Sequence, residues 1–393
     1  MQKNNPLRAE DIRFHNQKMV LSKIYETREK GISQSELVSI TGLRAPTLFR
    51  IFSDFEEQGL IEIFDNSDDY TNVDEPVRKG RRPIVYTTKK DALYTIGVEF
   101  WAFCISIGVF DFRGSRVLSR EEPLQKYTGI EQTINLIVTL VRDLLYALGI
   151  SSEKIIGIGV AAPGQVDIKN RVVINYTFID GVQNYPLADR LEELLGIPVT
   201  IHNNCSAMAL SEYRYGNYNH HGSMFTFLIR SGVGGAYINR QGIYTSEDKT
   251  HEPGHITINY EGPVCYCGLR GCLQAYLTEL DAPYSDKEKK LLFSALEGKL
   301  ANGDEEAKNT MDKAAYYIFV AMKNIIRLYS PRSFLILGNG KYMSRHIADY
   351  VGKCLEHEPD AFVHHAPSIF SNTWASFAAQ QGASDLVISS YLS

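Results

Sequence analysis

The sequence predicts an α/β protein with a small helical unit at its N-terminus and a larger unit in which strands and helices alternate. Before residue 60, apolar residues recur in three segments at helical spacing. From Tyr94 onward, short apolar and β-branched runs alternate with amphipathic segments. Several of these runs end in glycine turns, which is typical of α/β domains that bind ligands at their strand ends.

The composition is that of an ordinary globular protein, with 44% hydrophobic and 22% charged residues. A chain of 393 residues is long enough for two or three domains, at roughly 100–200 residues each. The net charge of −5 argues against DNA binding through overall charge, so any DNA-binding surface must be local.

The first twenty residues are polar and charged, so we expect no secretory signal and a cytoplasmic protein. The nearly apolar run from Ala92 to Phe110 must be weighed as a membrane span. It contains Glu99, Gly97 and Gly108 together with many β-branched and aromatic residues. We therefore expect two buried strands joined by a tight turn, and no contact with a membrane.

The N-terminal ninety residues predict three helices followed by a strand. The elements are, in order, a helix ending at Gly31, a helix running from the capping box Ser33–Glu36 to Gly42, a helix beginning near Pro46, and a strand at Ile61–Phe64. This order is typical of a winged helix-turn-helix, which we assign to residues 1–90. The alternative is a small three-helix packing domain.

The third helix is predicted to be the one that enters DNA. Its buried face is formed by Leu48, Ile51, Phe52 and Phe55. Its outward residues are Arg44, Ala45, Thr47, Phe49 and Arg50. Arginine can pair with guanine through two hydrogen bonds, and threonine or phenylalanine can contact a thymine methyl group, so this face is suited to reading base edges.

Two charged segments follow that strand. The acidic stretch from Asp65 to Glu75 predicts a solvated wing tip. In the basic run Arg78–Pro83, we expect Lys79, Arg81 and Arg82 to follow the phosphate backbone or to enter a minor groove. The alternative is a charged interdomain linker.

The larger unit predicts an alternating order of strands and helices. The predicted strands are Thr95–Glu99, Cys104–Phe110, Ile155–Val160, Val199–Ile201, Phe225–Ile229, Ala236–Asn239 and Phe334–Leu337. The predicted helices are Ile130–Leu148, Leu187–Leu195, Ser206–Tyr213 and segments between residues 288 and 329. Glycine turns follow three of the strands, at Ala161–Gly164, Ser231–Gly235 and Gly338–Gly340.

Three of the six cysteines, Cys265, Cys267 and Cys272, lie within eight residues of one another. Without a secretory signal, such a cluster indicates a metal site rather than a disulfide framework. Together with His255, ten residues upstream, they offer the four nitrogen and sulfur ligands of a structural zinc. The alternatives are three buried or redox-active thiols, and His251 is a competing imidazole.

Four segments resemble the ROK family, which unites sugar-responsive repressors with sugar kinases. They are His251–His255 followed by Cys265–Cys272, Pro163–Asp167, Ser231–Ala236, and Thr47–Arg50, where Phe49 replaces a serine. The resemblance covers nearly the whole chain, including the winged helix of the repressor branch, and it strengthens the zinc assignment.

The resemblance implies two lobes of the RNase-H-like fold around a cleft, as in hexokinase and actin. The first lobe is expected to span residues 91–204 together with a C-terminal helix at 374–393. The second lobe is expected to span residues 205–373, with the zinc site and a dimerisation surface.

The kinase chemistry of the family is predicted to be lost. The family's catalytic base is an aspartate, and Asn204 stands at that position, preceded by His202 at an acidic position. The first phosphate loop is replaced by Val98–Ala102, in which Phe100 and Trp101 take the place of glycines. The glycine turn Gly232–Gly235 is retained. We therefore assign no catalytic residue and expect no enzyme.

The resemblance also implies where a sugar effector would bind. The corresponding positions are Asn203, Asn204, Glu252, His255 and Gln274, and Gly164 and Asn175 are added as neighbours that could line the cleft. Asn204 and Gln274 stand where the family has an aspartate and a glutamate. Amides can donate to and accept from hydroxyl groups, so the cleft can still form hydrogen bonds with a sugar. The alternative is a vestigial cleft in a domain that serves only for dimerisation.

The sequence thus predicts a regulator of transcription, acting as a repressor, that is controlled by a sugar or sugar derivative. Its expected partners are double-stranded operator DNA, the sugar, and further copies of the chain in a homodimer or tetramer. The rival functions are a sugar kinase with an appended DNA-binding domain and a DNA-binding protein without an effector.

Overall fold

A computed structural model describes residues 9–64, 84–124, 128–216, 218, 222–247, 249–284, 291–358 and 366–393. The N-terminal unit contains three helices and three short strands. They are α1 (Ala9–Glu26), β1 (Ile32–Ser33), α2 (Gln34–Thr41), α3 (Ala45–Glu57), β2 (Ile61–Ile63) and β3 (Val85–Thr88). The strands form an antiparallel sheet in the order β1-β3-β2, and the helices pack around one apolar core.

The ends of these helices follow local chemistry. The Ser33 hydroxyl and the Glu36 carboxylate satisfy each other's backbone amides at the start of α2, as the capping box predicts. Gly42 ends α2 with a φ of +69°, a conformation that glycine adopts without steric cost. The first helix differs from the prediction, because it begins at Ala9 and ends at Glu26, five residues before Gly31. Acidic residues in its first turn stabilise the earlier start through the helix dipole.

The first half of the larger unit is built on a five-stranded sheet. Its elements are β4 (Tyr94–Trp101), β5 (Cys104–Asp111), β6 (Arg116–Pro123), α4 (Ile130–Leu148), β7 (Ile155–Ala162), β8 (Gln165–Asp167), β9 (Val172–Asn175), β10 (Gln183–Tyr185), α5 (Leu187–Leu195) and β11 (Val199–Asn203). The large sheet has the order β11-β7-β4-β5-β6, and β8, β9 and β10 form a separate small sheet. The prediction of two buried strands within residues 92–110 is confirmed by the β4–β5 hairpin.

The second half repeats this arrangement. Its elements are α6 (Asn204–Tyr215), β12 (Ser223–Ile229), β13 (Val233–Asn239), β14 (Gly242–Ile243), α7 (Leu273–Asp281), α8 (Glu297–Ala301), α9 (Glu305–Tyr329), β15 (Ser333–Gly338), α10 (Lys341–His357) and β16 (Ser368–Thr373). The last helix, α11 (Ser376–Leu392), returns to the first sheet. Its sheet has the order β14-β13-β12-β15-β16. Numbered along the chain, both sheets run 3-2-1-4-5, with an antiparallel meander followed by two parallel strands.

Two helices, α6 and α11, lie between the sheets and pack on each other. A Cβ atom on Gly97 or Gly159 would overlap the backbone carbonyl of Gln380 or Ala383, so glycine is what allows α11 to lie directly on the first sheet. A Cβ on Gly382 would likewise overlap the Ala207 carbonyl of α6. The two sheets are therefore joined through a closely packed pair of helices.

The glycine turn predicted at Ser231–Gly235 is shorter than expected. Strand β13 already begins at Val233, so Gly234 and Gly235 belong to the strand and not to the turn. Within the described ranges, no helix is both long enough and apolar enough to span a lipid bilayer.

Candidate functional site

A polar cavity of about 410 Å³ lies between the two large sheets. All seven residues predicted to bind an effector line it: Gly164, Asn175, Asn203, Asn204, Glu252, His255 and Gln274. They come from the strand ends β7, β9 and β11, the start of α6, the segment before α7, and α7 itself. The fold thus gathers side chains that are up to 110 positions apart in the sequence, as carboxyl ends of parallel strands do in α/β proteins.

Asn203 connects two segments that line this cavity, the start of α6 and the turn after β7. It ends β11 and caps α6, and its Oδ1 accepts hydrogen bonds from the amides of Cys205 at 2.8 Å and Ser206 at 3.4 Å. Its Nδ2 donates to the Gly164 carbonyl at 2.6 Å. Both ends of the amide are therefore used by the protein, so its contribution to a ligand would be mainly positional.

The side-chain amide of Gln274 also uses both of its ends for hydrogen bonds within the protein. Its Oε1 accepts from the Val233 amide at 2.6 Å, and its Nε2 donates to the Thr278 hydroxyl at 3.0 Å. The side chain thereby holds the β12–β13 turn against α7. The amide, unlike a carboxylate, can accept and donate at once, which this pair of contacts requires.

Asn204 and Glu252 use fewer of their hydrogen-bonding groups within the protein than Asn203 and Gln274 do. Asn204 is 5% exposed, and its Oδ1 has a weak contact of 3.4 Å from the Cys205 thiol. Glu252 lines the cavity, and burial raises the pKa of its carboxyl to about 7. Near neutral pH that carboxyl can both donate to and accept from a hydroxyl group.

The four predicted metal ligands come together beside the cavity. The ligand atoms of His255, Cys265, Cys267 and Cys272 lie within 4.8 Å of one another. His255 Nδ1 is 3.5 Å from Cys265 Sγ, and the sulfurs of Cys267 and Cys272 are 3.7 Å apart. Tetrahedral zinc with these ligands has edges of about 3.5–3.8 Å, so the cluster could hold such an ion.

The histidine orientation separates the two imidazoles considered from the sequence. With Nδ1 turned to the sulfurs, Nε2 of His255 lies 3.2 Å from the Tyr266 hydroxyl. The second nitrogen therefore has a protein partner, although a sugar was expected to face it. His251 lies outside the cluster and stacks on Tyr244 with ring centroids 5.4 Å apart.

Arg230, at the end of β12, occupies the part of the cavity next to the β4–β5 hairpin, a contact that sequence analysis missed. Its guanidinium pairs with the Glu99 carboxylate at 2.6 Å, and both side chains are almost completely buried. It lies over the rings of Trp101 at 4.5 Å and Trp374 at 5.0 Å. A buried glutamate within an apolar run was the only sequence signal for this pair.

The same region contains a further contact and a correction. The Ala102 amide at the hairpin turn donates to the Tyr176 hydroxyl at 3.2 Å. Phe100 was expected to fill the first phosphate loop beside Trp101, but it is 1% exposed and belongs to the core under the first sheet. Successive residues of a strand point to opposite faces, so Trp101 lies against the Arg230 guanidinium and Phe100 lies in the core.

The residues predicted to contact DNA lie on the outer side of α3. Arg44, Ala45, Phe49 and Arg50 are exposed and Thr47 is half-buried. The opposite side of α3 is buried through Leu48, Ile51, Phe52 and Phe55. Lys79, Arg81 and Arg82, and the acidic stretch that was predicted to form a wing tip, lie outside the described residues.

These observations define a class of protein, in which two α/β lobes of equal strand order enclose a polar cleft and carry a smaller helical unit at the N-terminus. The chain belongs to the ROK family, which it matches over residues 95–390. The xylose repressor of Bacillus spizizenii is 26% identical over 324 residues, covering 82% of this chain and 81% of that protein.

The solved structures that resemble this fold include a regulator and a kinase. A ROK family transcriptional regulator, a homologue of the E. coli MLC protein, superposes with a TM-score of 0.78 and 18% identity, covering 96% of this chain and 97% of that one. A ROK family glucokinase from Streptomyces griseus, in complex with glucose and AMPPNP, gives a TM-score of 0.62 and 22% identity, covering 75% and 98%. Coverage of 96% requires that most of the N-terminal unit is shared with the regulator.

Proposed function

We propose that this protein is a DNA-binding transcriptional repressor controlled by a sugar or sugar derivative. The observation that carries the proposal is the outer face of α3, where Arg44, Phe49 and Arg50 are exposed on a helix whose other side is buried. The order of helices and the antiparallel β1-β3-β2 sheet fit a winged helix-turn-helix over residues 1–90. The likeness to a xylose repressor supports the same function.

We assign the effector to the cavity between the lobes. Asn204 and Glu252 supply the hydrogen-bonding groups for sugar hydroxyls, while Asn203, Gln274 and Gly164 keep them in position. A polar cavity with groups that are only partly satisfied by the protein is suited to a ligand rich in hydroxyls. Asn175 and His255 complete its lining.

Several contacts argue against kinase activity. Asn204 cannot take a proton from a sugar hydroxyl at neutral pH, as a catalytic aspartate does. The Ala102 amide already donates to Tyr176, and the Arg230 guanidinium is neutralised by Glu99 and covered by two tryptophans. Phosphoryl transfer depends on free backbone amides and cations around the phosphates, and these groups are not free to supply that.

We further propose a structural zinc on His255, Cys265, Cys267 and Cys272, and a homodimer or tetramer. Four protein ligands leave no open position on the metal, which fits a structural role. The lobes are taken as residues 91–204 with 374–393, and 205–373, the second lobe providing the dimerisation surface. Two winged helices on adjacent half-sites gain affinity through effective concentration, and light scattering at micromolar protein tests the assembly.

The test is selection of binding sequences from a random duplex pool with the purified full-length protein. Fluorescence anisotropy on the selected duplex then measures its dissociation constant with and without a panel of pentoses, hexoses and amino sugars. We expect a sequence-selective site and at least one sugar that weakens binding to it. The absence of any enriched sequence would contradict DNA recognition, and sugar-dependent ADP release would favour the kinase.

A further inference from the structure

Helix α6 connects the effector cavity with the place where the N-terminal unit contacts the rest of the protein. Its first residues, Asn204 and Cys205, line the cavity, and Asn203 caps it. Its last residues are Arg214 and Tyr215, at the other end of this helix of 12 residues. At about 1.5 Å per residue, the helix spans roughly 18 Å without interruption.

At its far end, α6 enters a buried polar cluster on α11. The Asp385 carboxylate, 2% exposed, accepts a hydrogen bond from the Tyr215 hydroxyl at 2.8 Å and pairs with Arg214 at 3.1 Å. The Tyr25 hydroxyl of α1 approaches the same carboxylate at 3.5 Å. One carboxylate is thus shared by α6, α11 and the first helix of the N-terminal unit.

Arg28, just after α1, completes this cluster. Its Nη2 donates to the Tyr215 hydroxyl at 2.8 Å, and its Nε donates to the Arg113 carbonyl at 2.6 Å. Its backbone carbonyl accepts from the Thr87 hydroxyl of β3 at 2.7 Å. The Tyr215 hydroxyl therefore receives a hydrogen bond from the N-terminal unit and gives one to α11.

Most of the remaining contacts of α1 with the larger unit are apolar, although the Lys18 ammonium also donates a hydrogen bond to the Tyr391 carbonyl. Val20, Leu21 and Ile24 share an apolar core with Phe112, Ile388 and Leu392, and the Lys18 ammonium lies over the Tyr391 ring. Apolar contacts tolerate small displacements, whereas hydrogen bonds weaken steeply when distance and angle change. The buried charges also cannot lose their partners without a large cost.

We propose that α6 is the mechanical link between effector and DNA: sugar binding at the Asn204 end shifts the helix, and the Tyr215–Asp385–Arg28 cluster converts that shift into a new position of the N-terminal unit. The inference rests on the proposed function. A ligand can bias DNA binding only if it interacts differently with two arrangements of the protein. In our proposal, the hydrogen bonds among Tyr215, Asp385 and Arg28 differ between those two arrangements.

The test removes one hydroxyl. Tyr215→Phe keeps the ring but deletes the group that bridges Arg28 and Asp385. We expect sugar affinity, by calorimetry, to stay within about twofold of wild type, because the cavity is untouched. The ratio of DNA dissociation constants with and without sugar should fall by about fivefold or more, the lower end of typical coupling between sites.

A second variant and a control keep the test decisive. Arg28→Gln removes the same bridge from the N-terminal side and should reduce the ratio similarly, even if Tyr215→Phe folds poorly. Tyr146→Phe deletes a hydroxyl from a tyrosine of α4 that is 90% exposed and should leave the ratio unchanged. An undiminished ratio in a folded variant overturns the link alone. A wild type whose DNA affinity ignores every sugar overturns both the link and the effector proposal.

Discussion

Two of the polar side chains in the cavity use their hydrogen-bonding groups for the protein itself. Asn203 caps α6 and holds Gly164, while Gln274 holds Val233 and Thr278. Asn204 and Glu252 face the same cavity with fewer partners. Residues with the same predicted role therefore divide into those that build the site and those that can exchange hydrogen bonds with a ligand.

This division could not be predicted from the sequence, although the location of all four residues could. Motif spacing places a residue near a strand end, but its hydrogen-bond partners depend on elements far away along the chain. Arg230 and Glu99 are separated by 131 positions, and their pairing depends on how the two sheets meet. The four predicted metal ligands lie within residues 255–272, so their spacing together with the family resemblance could predict that they form one cluster.

A first prediction concerns the pH dependence of stability. Burial raises the pKa of Glu252 to about 7 in the folded protein, above its unfolded value. The contribution of this carboxyl to the free energy of unfolding should therefore fall as the pH rises from about 4.5 and level off above about 7, since ionisation is disfavoured only in the folded state. In urea denaturation across this range, the free energy of unfolding of wild type minus that of Glu252→Gln should therefore decrease as the pH rises.

The matched control is Glu261→Gln, which changes an exposed carboxylate in the same segment. It should keep the wild-type dependence on pH. If Glu252→Gln and wild type follow the same curve, the carboxyl of Glu252 is not protonated in the folded protein at neutral pH.

A second prediction concerns the exposed arginines of α3. Arg50→Ala should weaken binding to the selected duplex by about 1–3 kcal/mol if the guanidinium reads a base edge, and Arg44→Ala should also weaken it. Anisotropy titrations measure both. Arg345→Ala, which removes an exposed arginine from α10, is the control and should bind as wild type does. Unchanged affinity in both α3 variants would mean that another element reads the DNA.

At the scale of single elements, a helix or strand with a clear pattern of buried apolar residues was easier to predict than one at the surface. Helix α4 was predicted with its observed ends because eight buried residues mark one face and Gly149 ends it. Strands β6 and β16 were missed, because both lie at sheet edges, contain no fully buried side chain and so show no apolar alternation. Helix α10 was overlooked although Met343, Ile347 and Val351 mark a buried face.

The segment Cys265–Cys272 before α7, which contains three of the proposed zinc ligands, gives a third prediction. Two of its sulfurs are buried, whereas Cys267 is exposed, so Cys267→Ser removes a ligand with little loss of packing. Elemental analysis should find about one zinc per wild-type chain and less in the variant, and the melting temperature should fall because metal binding contributes folding free energy. Cys354 lies on α10, outside this cluster, so Cys354→Ser should retain the metal. Freshly purified wild type without zinc would contradict the assignment.

At the scale of the whole molecule, the two sheets share one strand order. They differ in the residues at the strand ends where the two lobes meet. The end of β4 contributes Glu99 and Trp101, and the end of β12 contributes Arg230. Together they form a buried ion pair between aromatic rings where the lobes face each other. Removing either partner alone would leave an unpaired buried charge, so this contact stabilises the observed arrangement of the two lobes.

The last prediction follows from that contact. Wild-type protein should release no ADP with any sugar of the panel, and Asn204→Asp should not create a kinase. The new carboxylate could act as a general base, a contribution of about 10²–10⁴-fold in an assembled active site. A base has no effect when the nucleotide has no place to bind.

Here the Ala102 amide is held by Tyr176, and the Arg230 charge is balanced by Glu99, so neither group is available to the phosphates. Positioning and charge stabilisation supply most of the catalysis in phosphoryl transfer, and both depend on that region. Asn204→Asp should instead alter sugar affinity, because an ionised carboxylate accepts hydrogen bonds but cannot donate them. A coupled assay for ADP and calorimetry with the same sugars measure the two effects. Turnover by the variant alone would mean that the phosphate region opens in solution, and turnover by wild type would make the protein an enzyme.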